Sequence, residues 1–275
     1  MGIVVKPGHS VPAETATAAR KIYNIQHIYL RIGDQLESVL AGIDLPRLDP
    51  SASLSGEATW RLALVTAFQY AEQLPDSLAE QATLKRLDWK YALRLPIQHP
   101  GMAEAALCNF RQNLFSFPNS AKEYSRLLAA LGQCGLFARS DSQSLGAAQV
   151  LTTVCKITRL YWLNQGMRAA LSALAAVAPE WLSEVALPHW YEHYKTDQEG
   201  GAQFQAAFAD PLQEANTLGA DASRLLNALR QQNSLEYIQL DEIVHLSRLV
   251  EKQYLPNNGS AHWRMPGCLG CSRND

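Results

Sequence analysis

At 275 residues, with 47% hydrophobic side chains, the chain is long enough for one large or two ordinary domains, each able to bury its own core. A formal net charge of -2 excludes a global basic field that would draw it onto nucleic acid or an anionic membrane, so any DNA contact has to be local. Five cysteines without a disulfide-framework spacing, no basic-then-apolar pattern over residues 1–10, and no apolar run near the roughly 20 residues of a membrane span together predict a cytoplasmic protein.

Residues 1–20 mix Pro, Gly, Thr and Ala without an apolar period and read as a flexible leader. Ile22, Ile25, Ile28, Tyr29 and Ile32 recur at helical spacing, with Gly33 and Asp34 interrupting or ending that helix before Leu36. Pro46 and Pro50 mark a loop over residues 45–55. Leu62, Leu64, Val65, Phe68 and Ala71 then form an apolar face that stops at Leu74 and Pro75, where Asp76 is placed to cap a second helix carrying Leu78, Ala79 and Ala82. The spacing predicts further helices over residues 88–95, from Pro100 through Leu114, and over 120–134 with Gly135 as the stop. Residues 136–145, which include Asp141, are too short for a helix and predict a buried strand.

Helical periodicity resumes over 147–163 and 167–177, and Pro179 and Pro188 suit first-turn positions of two more helices. Residues 202–231 and 235–254 complete a second helical block, and 256–275 read as a disordered tail. The predicted fold class is therefore mainly α. Its divisions are a leader (1–20), a helical helix-turn-helix-like domain (21–137), a strand followed by a helical block (138–255), and the tail.

Within the first helical domain, residues 84–126 carry Lys85, Arg86, Lys90, Arg94, Arg111, Lys122 and Arg126 against Asp88, Glu104 and Glu123, a local excess of +4. For Lys85, Arg86, Lys90 and Arg94, with Arg111 behind them, two readings stand side by side: phosphate contact or groove docking by a recognition helix, and an ordinary solvated helix face.

Several strings, in order, resemble the N-terminal part of bacterial insertion-sequence transposases of the DDE, ribonuclease-H-fold type. They are TAFQYAEQLPDSLAE at 66–80, LDWKYAL at 87–93, CNFRQNL at 108–114, Ser140-Asp141-Ser142, RAALSAL at 168–174, APEWL at 178–182, and His262-Trp263-Arg264. The resemblance implies terminal-DNA recognition by the helical front end, with the element's inverted repeats as partner. It implies a nucleoid-associated bacterial location and self-association or association with an intact transposase. It also implies a carboxylate triad holding two magnesium ions, which activate an oxygen nucleophile and stabilise the leaving oxygen on phosphorus.

By its place, Asp141 matches the first of those carboxylates, as both catalytic residue and metal ligand, although Gln143 and Ser144 stand where the family commonly has Thr and His. The second Asp and the Glu have no counterpart here. The expectation is thus a truncated or frameshifted relative that binds DNA without strand transfer. The alternatives are a non-catalytic inhibitor of transposition and a helical interaction protein.

Two shorter motifs compete. His189-Trp190-Tyr191-Glu192-His193 matches the H-x-x-E-H pattern of zinc peptidases, in which two histidines one turn apart bind zinc and the glutamate polarises water. The bland reading is an aromatic helix. Cys268 and Cys271, with His262, have metal or disulfide-exchange chemistry, against incidental cysteines on a loose tail. Cys108, Cys134 and Cys155 read as small core hydrophobes.

Overall fold

The computed structural model describes residues 10–48, 59–137, 145–195, 210–231, 235–255 and 262–264. It is mainly α-helical, as the apolar periodicity predicts. Two units are distinguished, one ending at Cys155 and the other beginning at Lys156.

In the first unit the described helices are α1 (Ala13–Ile22), α2 (Ile28–Asp34), α3 (Leu36–Leu40), α4 (Leu45–Leu48), α5 (Thr59–Glu72), α6 (Asp76–Lys85), α7 (Leu87–Ala92), α8 (Glu104–Ser116), α9 (Pro118–Gln133) and the first turns of α10 (Ala147–Val177). The helix α1 corrects the expectation of a loose leader up to residue 20. Its inward face is carried by small side chains, Thr15 and Ala19, which give no apolar period. Ala19 packs with Leu30 and Tyr91, and the Thr15 hydroxyl donates to the Leu95 carbonyl at 2.8 Å. The helices α2 and α3 adjoin at Gln35. At Gly33 a Cβ would come within 2.7 Å of the Tyr91 ring, so the close packing of α2 on α7 requires glycine there.

Helix α5 runs through the core, with every residue from Leu62 to Gln69 buried, as expected of a helix surrounded by protein on all sides. It stops where Gln73 takes a left-handed conformation (φ 55°) and the Leu74 N–H returns to the Gln69 carbonyl at 2.9 Å. Arg94 (φ 52°) ends α7 in the same way, with Leu95 N–H bonded to Lys90 O. Phe68 of α5 meets Tyr29 and Trp89 at ring-centroid distances of 4.7 and 5.2 Å, both edge-on.

The expected domain boundary at 137/138 differs from the division inside α10. Ala147, Val150, Leu151 and Val154 follow the i, i+3, i+4, i+7 spacing and pack into the first core. Farther along, Leu160, Leu163, Met167, Ala170 and Leu174 serve the second unit.

That second unit also contains α11 (Pro179–Val185), α12 (Pro188–His193), α13 (Pro211–Gln231), α14 (Leu235–Ile238) and α15 (Asp241–Gln253). Pro179 and Pro188 occupy first-turn positions, where a missing N–H costs nothing. Leu218, Ala222, Leu225 and Leu229 of α13 and Ile243 and Leu246 of α15 share a core with the α10 residues and Trp190.

The reading of 256–275 as a loose tail needs correction at one point. His262–Trp263 forms a short strand, β2, paired antiparallel with β1 (Tyr254–Leu255), with Tyr254 opposite Trp263. Trp263 is buried beneath the Arg159 guanidinium, 5.0 Å from the ring centroid, while the Tyr254 hydroxyl donates to Ala215 O at 2.6 Å. Arg159 adds bonds to Arg264 O and Gln253 O, and a two-residue strand has no periodicity for a sequence pattern to detect. The strand expected over 136–145, with Asp141, lies mostly outside the described residues, as do Cys268 and Cys271. No described helix is long and apolar enough to cross a membrane.

Candidate nucleic-acid interface

Helices α5 and α6 are joined by the tight turn at Gln73, Leu74 and Pro75. Pro75 occupies the N-cap of α6, with Asp76 as the first helical residue. The Asp76 carboxylate is fully buried: one oxygen accepts from Gln69 Nε2 of α5 at 2.8 Å, and the other pairs with Arg111 of α8. Arg111 also donates to Gln69 Oε1 at 3.3 Å. One ion pair with no solvent exposure on either side therefore pins the start of α6 to α5 and α8.

The loop after α7 lies along α6. Met102 N–H donates to Thr83 Oγ1 at 2.8 Å, Glu104 N–H to Glu80 Oε2 at 3.3 Å, and Gly101, at φ +92°, passes 3.2 Å from Leu84 Cβ where a side chain would begin. What remains open to solvent on α6 is a face with Gln81, Leu84 and Lys85, on which Lys85 Nζ donates to Gln81 Oε1 at 3.2 Å.

The five cations singled out in the sequence therefore separate. Lys85 is exposed. Arg86 is one-third exposed, but its guanidinium is shared between Glu72 and Asp88 and lies over the Tyr29 and Trp89 rings. Burial works against the charge on Arg86, and the bonds to Asp88 and Glu72 outweigh it, raising its pKa. Lys90 is buried and donates to the carbonyls of Ile97 and His99, and desolvation lowers its pKa. The Arg94 side chain is 8% exposed and faces Glu37 at 3.8 Å. Arg111 is the core ion pair just described.

Arg86, Lys90, Arg94 and Arg111 thus turn their charge to partners inside the unit, which leaves Lys85 as the exposed cation of the five. Apart from Asp88, two residues beyond Arg86, their partners lie on other helices or in loops, where a local charge count does not place them. Gln81 escaped the sequence reading, though its place four residues before Lys85 puts both on one helical face.

Asp141, the residue expected to ligate magnesium, lies outside the described residues, and among those described no group of three His, Cys, Asp or Glu is placed to hold a metal ion. The described residues therefore offer no ligand set that fits the ion. The zinc-peptidase pattern also resolves differently. His189 Nε2 lies 3.1 and 3.2 Å from the Asp221 oxygens, and His193 Nε2 lies 3.0 Å from Glu214 Oε1. Glu192 pairs with Lys195 at 2.9 Å. Each histidine has its own carboxylate on α13, so the two dock α12 rather than converge on a common ligand.

His193 has its pKa raised by the hydrogen bond to Glu214. Burial opposes the shift, Glu214 and Asp221 add to it through their charge, and Arg168 subtracts. With the folded value above the ordinary 6.5, the pair stabilises the unit fully below about pH 6.5 and loses that contribution as pH rises through the folded pKa. Urea unfolding at a series of pH values is expected to show wild type losing stability relative to His193→Gln as the pH becomes alkaline. A difference between the two that stays constant with pH would contradict this assignment.

Comparison with known proteins returned no match to a family model, a curated protein or a solved structure.

Proposed function

We propose that this chain is a relative of insertion-sequence transposases whose first unit recognises the terminal DNA of its element through α6. The observation that carries this reading is the second helix of a tightly turned pair. It is locked at its N-terminus by the buried Arg111–Asp76 ion pair and presents Gln81, Leu84 and Lys85 to solvent. A helix entering the major groove needs this rigidity, because base readout depends on holding two or three side chains at fixed positions against base edges. A glutamine is suited to the paired donor and acceptor of adenine, and a lysine to a phosphate. Magnesium-assisted attack on phosphorus enters only through Asp141 and the family resemblance, whereas DNA recognition is the part that geometry supports.

The test is a fluorescence-anisotropy titration of a duplex carrying the inverted repeats that flank the gene, at two salt concentrations. Gln81→Ala is expected to relax discrimination between the repeat and a scrambled duplex by about 1–3 kcal/mol. Lys85→Ala is expected to weaken both alike and to lower the salt slope by about 1. If wild type binds neither duplex at low salt, the reading gives way to a helical protein-interaction module.

A further inference from the structure

Building on the DNA-binding reading above, we propose that α4 and α9 form a second, sequence-independent contact to duplex DNA, in which Arg47, Lys122 and Arg126 engage the phosphate backbone. Six described Lys and Arg residues of the first unit are exposed: Arg20, Lys21, Arg47, Lys85, Lys122 and Arg126. Arg20 is taken up by Tyr91 and Asp34. Three of the remaining five fall on this one surface.

The two helices are fastened beneath it. The Ser120 hydroxyl donates to Arg47 O at 2.8 Å, and Asp44 N–H donates to Glu123 Oε2 at 3.3 Å. Arg47 and Arg126 are each held by one carboxylate, Asp44 and Glu123, and with Lys122 the surface keeps a positive excess. Arg47, 68% exposed, meets Asp44 through Nε at 3.1 Å. Arg126, 52% exposed, uses Nη1 for both oxygens of Glu123 at 2.7 and 3.0 Å and keeps Nη2 and Nε available. Lys122 precedes Arg126 by one helical turn on the same face and has no partner among the described residues. The Glu123 side chain is 5% exposed, so its charge lies below the surface it helps to build.

Long cations fixed at their inner ends, with donors turned outward, fit phosphate oxygens. A contact made to phosphate oxygens carries no direct information about the bases, so this surface binds duplexes of different sequence alike. Each such contact releases condensed counterions, so the surface has a measurable signature in the salt dependence of binding.

The test is the slope of log K against log salt, measured by anisotropy for the full chain on the inverted-repeat duplex and on a scrambled duplex. The triple variant Arg47→Ala/Lys122→Ala/Arg126→Ala is expected to reduce the magnitude of the slope by about 2.7 on both duplexes, roughly 0.9 per contact. Lys122→Ala alone, which breaks no bond in the fold, is expected to reduce it by about 0.9. Lys21→Ala, the same charge change elsewhere on the unit, is expected to leave the slope unchanged. An unaltered slope in the triple and Lys122 variants, with binding still sensitive to Lys85→Ala, overturns the α4–α9 contact and leaves DNA recognition standing. A loss that Lys21→Ala reproduces also overturns it, because the effect would then be one of overall charge. Failure of wild type to bind either duplex at low salt overturns both readings.

Discussion

Arg111→Ala is expected to lower the stability of the first unit by about 3–5 kcal/mol, as measured by urea unfolding followed by circular dichroism. The guanidinium and the Asp76 carboxylate are both sealed from solvent. Removing one therefore leaves a buried charge without its counter-charge, the hydrogen bond from Gln69 Nε2 being a neutral one. A loss of this size is a large fraction of the roughly 5–15 kcal/mol that separates folded from unfolded domains. Replacing both partners with apolar residues of similar volume, Arg111→Met with Asp76→Leu, is expected to recover much of the loss, since the isolated charge rather than the missing attraction dominates the penalty. A loss below about 1 kcal/mol for Arg111→Ala would contradict the buried ion pair. The same measurement separates structure from recognition: a phosphate-contacting arginine would weaken DNA binding while leaving the unfolding midpoint in place.

Trp89→Ala should have an effect of similar size, about 3–5 kcal/mol, read as a shift in the urea midpoint. Trp89 is fully buried, sits 5.2 Å from Phe68 and 5.9 Å from Tyr29 by ring centroid, and has the Arg86 guanidinium 5.0 Å from its ring centroid. Its indole N–H donates to Glu72 at 3.2 Å. Truncation removes the apolar bulk between α2, α5 and α7 and one of the donors that holds the Glu72 carboxylate between Arg86 and Tyr29. Trp89→Phe keeps an aromatic ring in the cluster and is expected to cost distinctly less. Equal losses for the two substitutions would show that the hydrogen bond to Glu72, not the packing, is what Trp89 contributes.

These two sites illustrate how differently the candidate interface reads in one and in three dimensions. The run from Lys85 to Arg94 has the composition of a basic recognition face, yet three of its four cations are held by Glu72, Asp88, Glu37 or the carbonyls of Ile97 and His99. In a helical assembly a cation's availability is set by whatever packs against it, and apart from Asp88 those partners come from other helices or from loops. Arg47 and Lys122 show the converse. They are 75 residues apart in sequence, and the Ser120 hydroxyl that bonds to Arg47 brings α4 and α9 together.

The sequence by itself determined the helical class and most of the places where helices start and stop. Pro179 and Pro188 open helices because a first-turn residue needs no N–H, and Gly135, at φ +86°, closes α9 because only glycine adopts that conformation without strain. These are local constraints, written in the residue that obeys them. Only the tertiary structure decided that α1 is a docked helix, that Trp263 is an anchor, that His189 and His193 serve separate carboxylates, and which basic side chains are free to meet a ligand. Each of those outcomes depends on burial and on partners far away in the chain. The energy of a charged group is set by the solvent it loses and the counter-charge it gains, and neither quantity is carried by the residue alone.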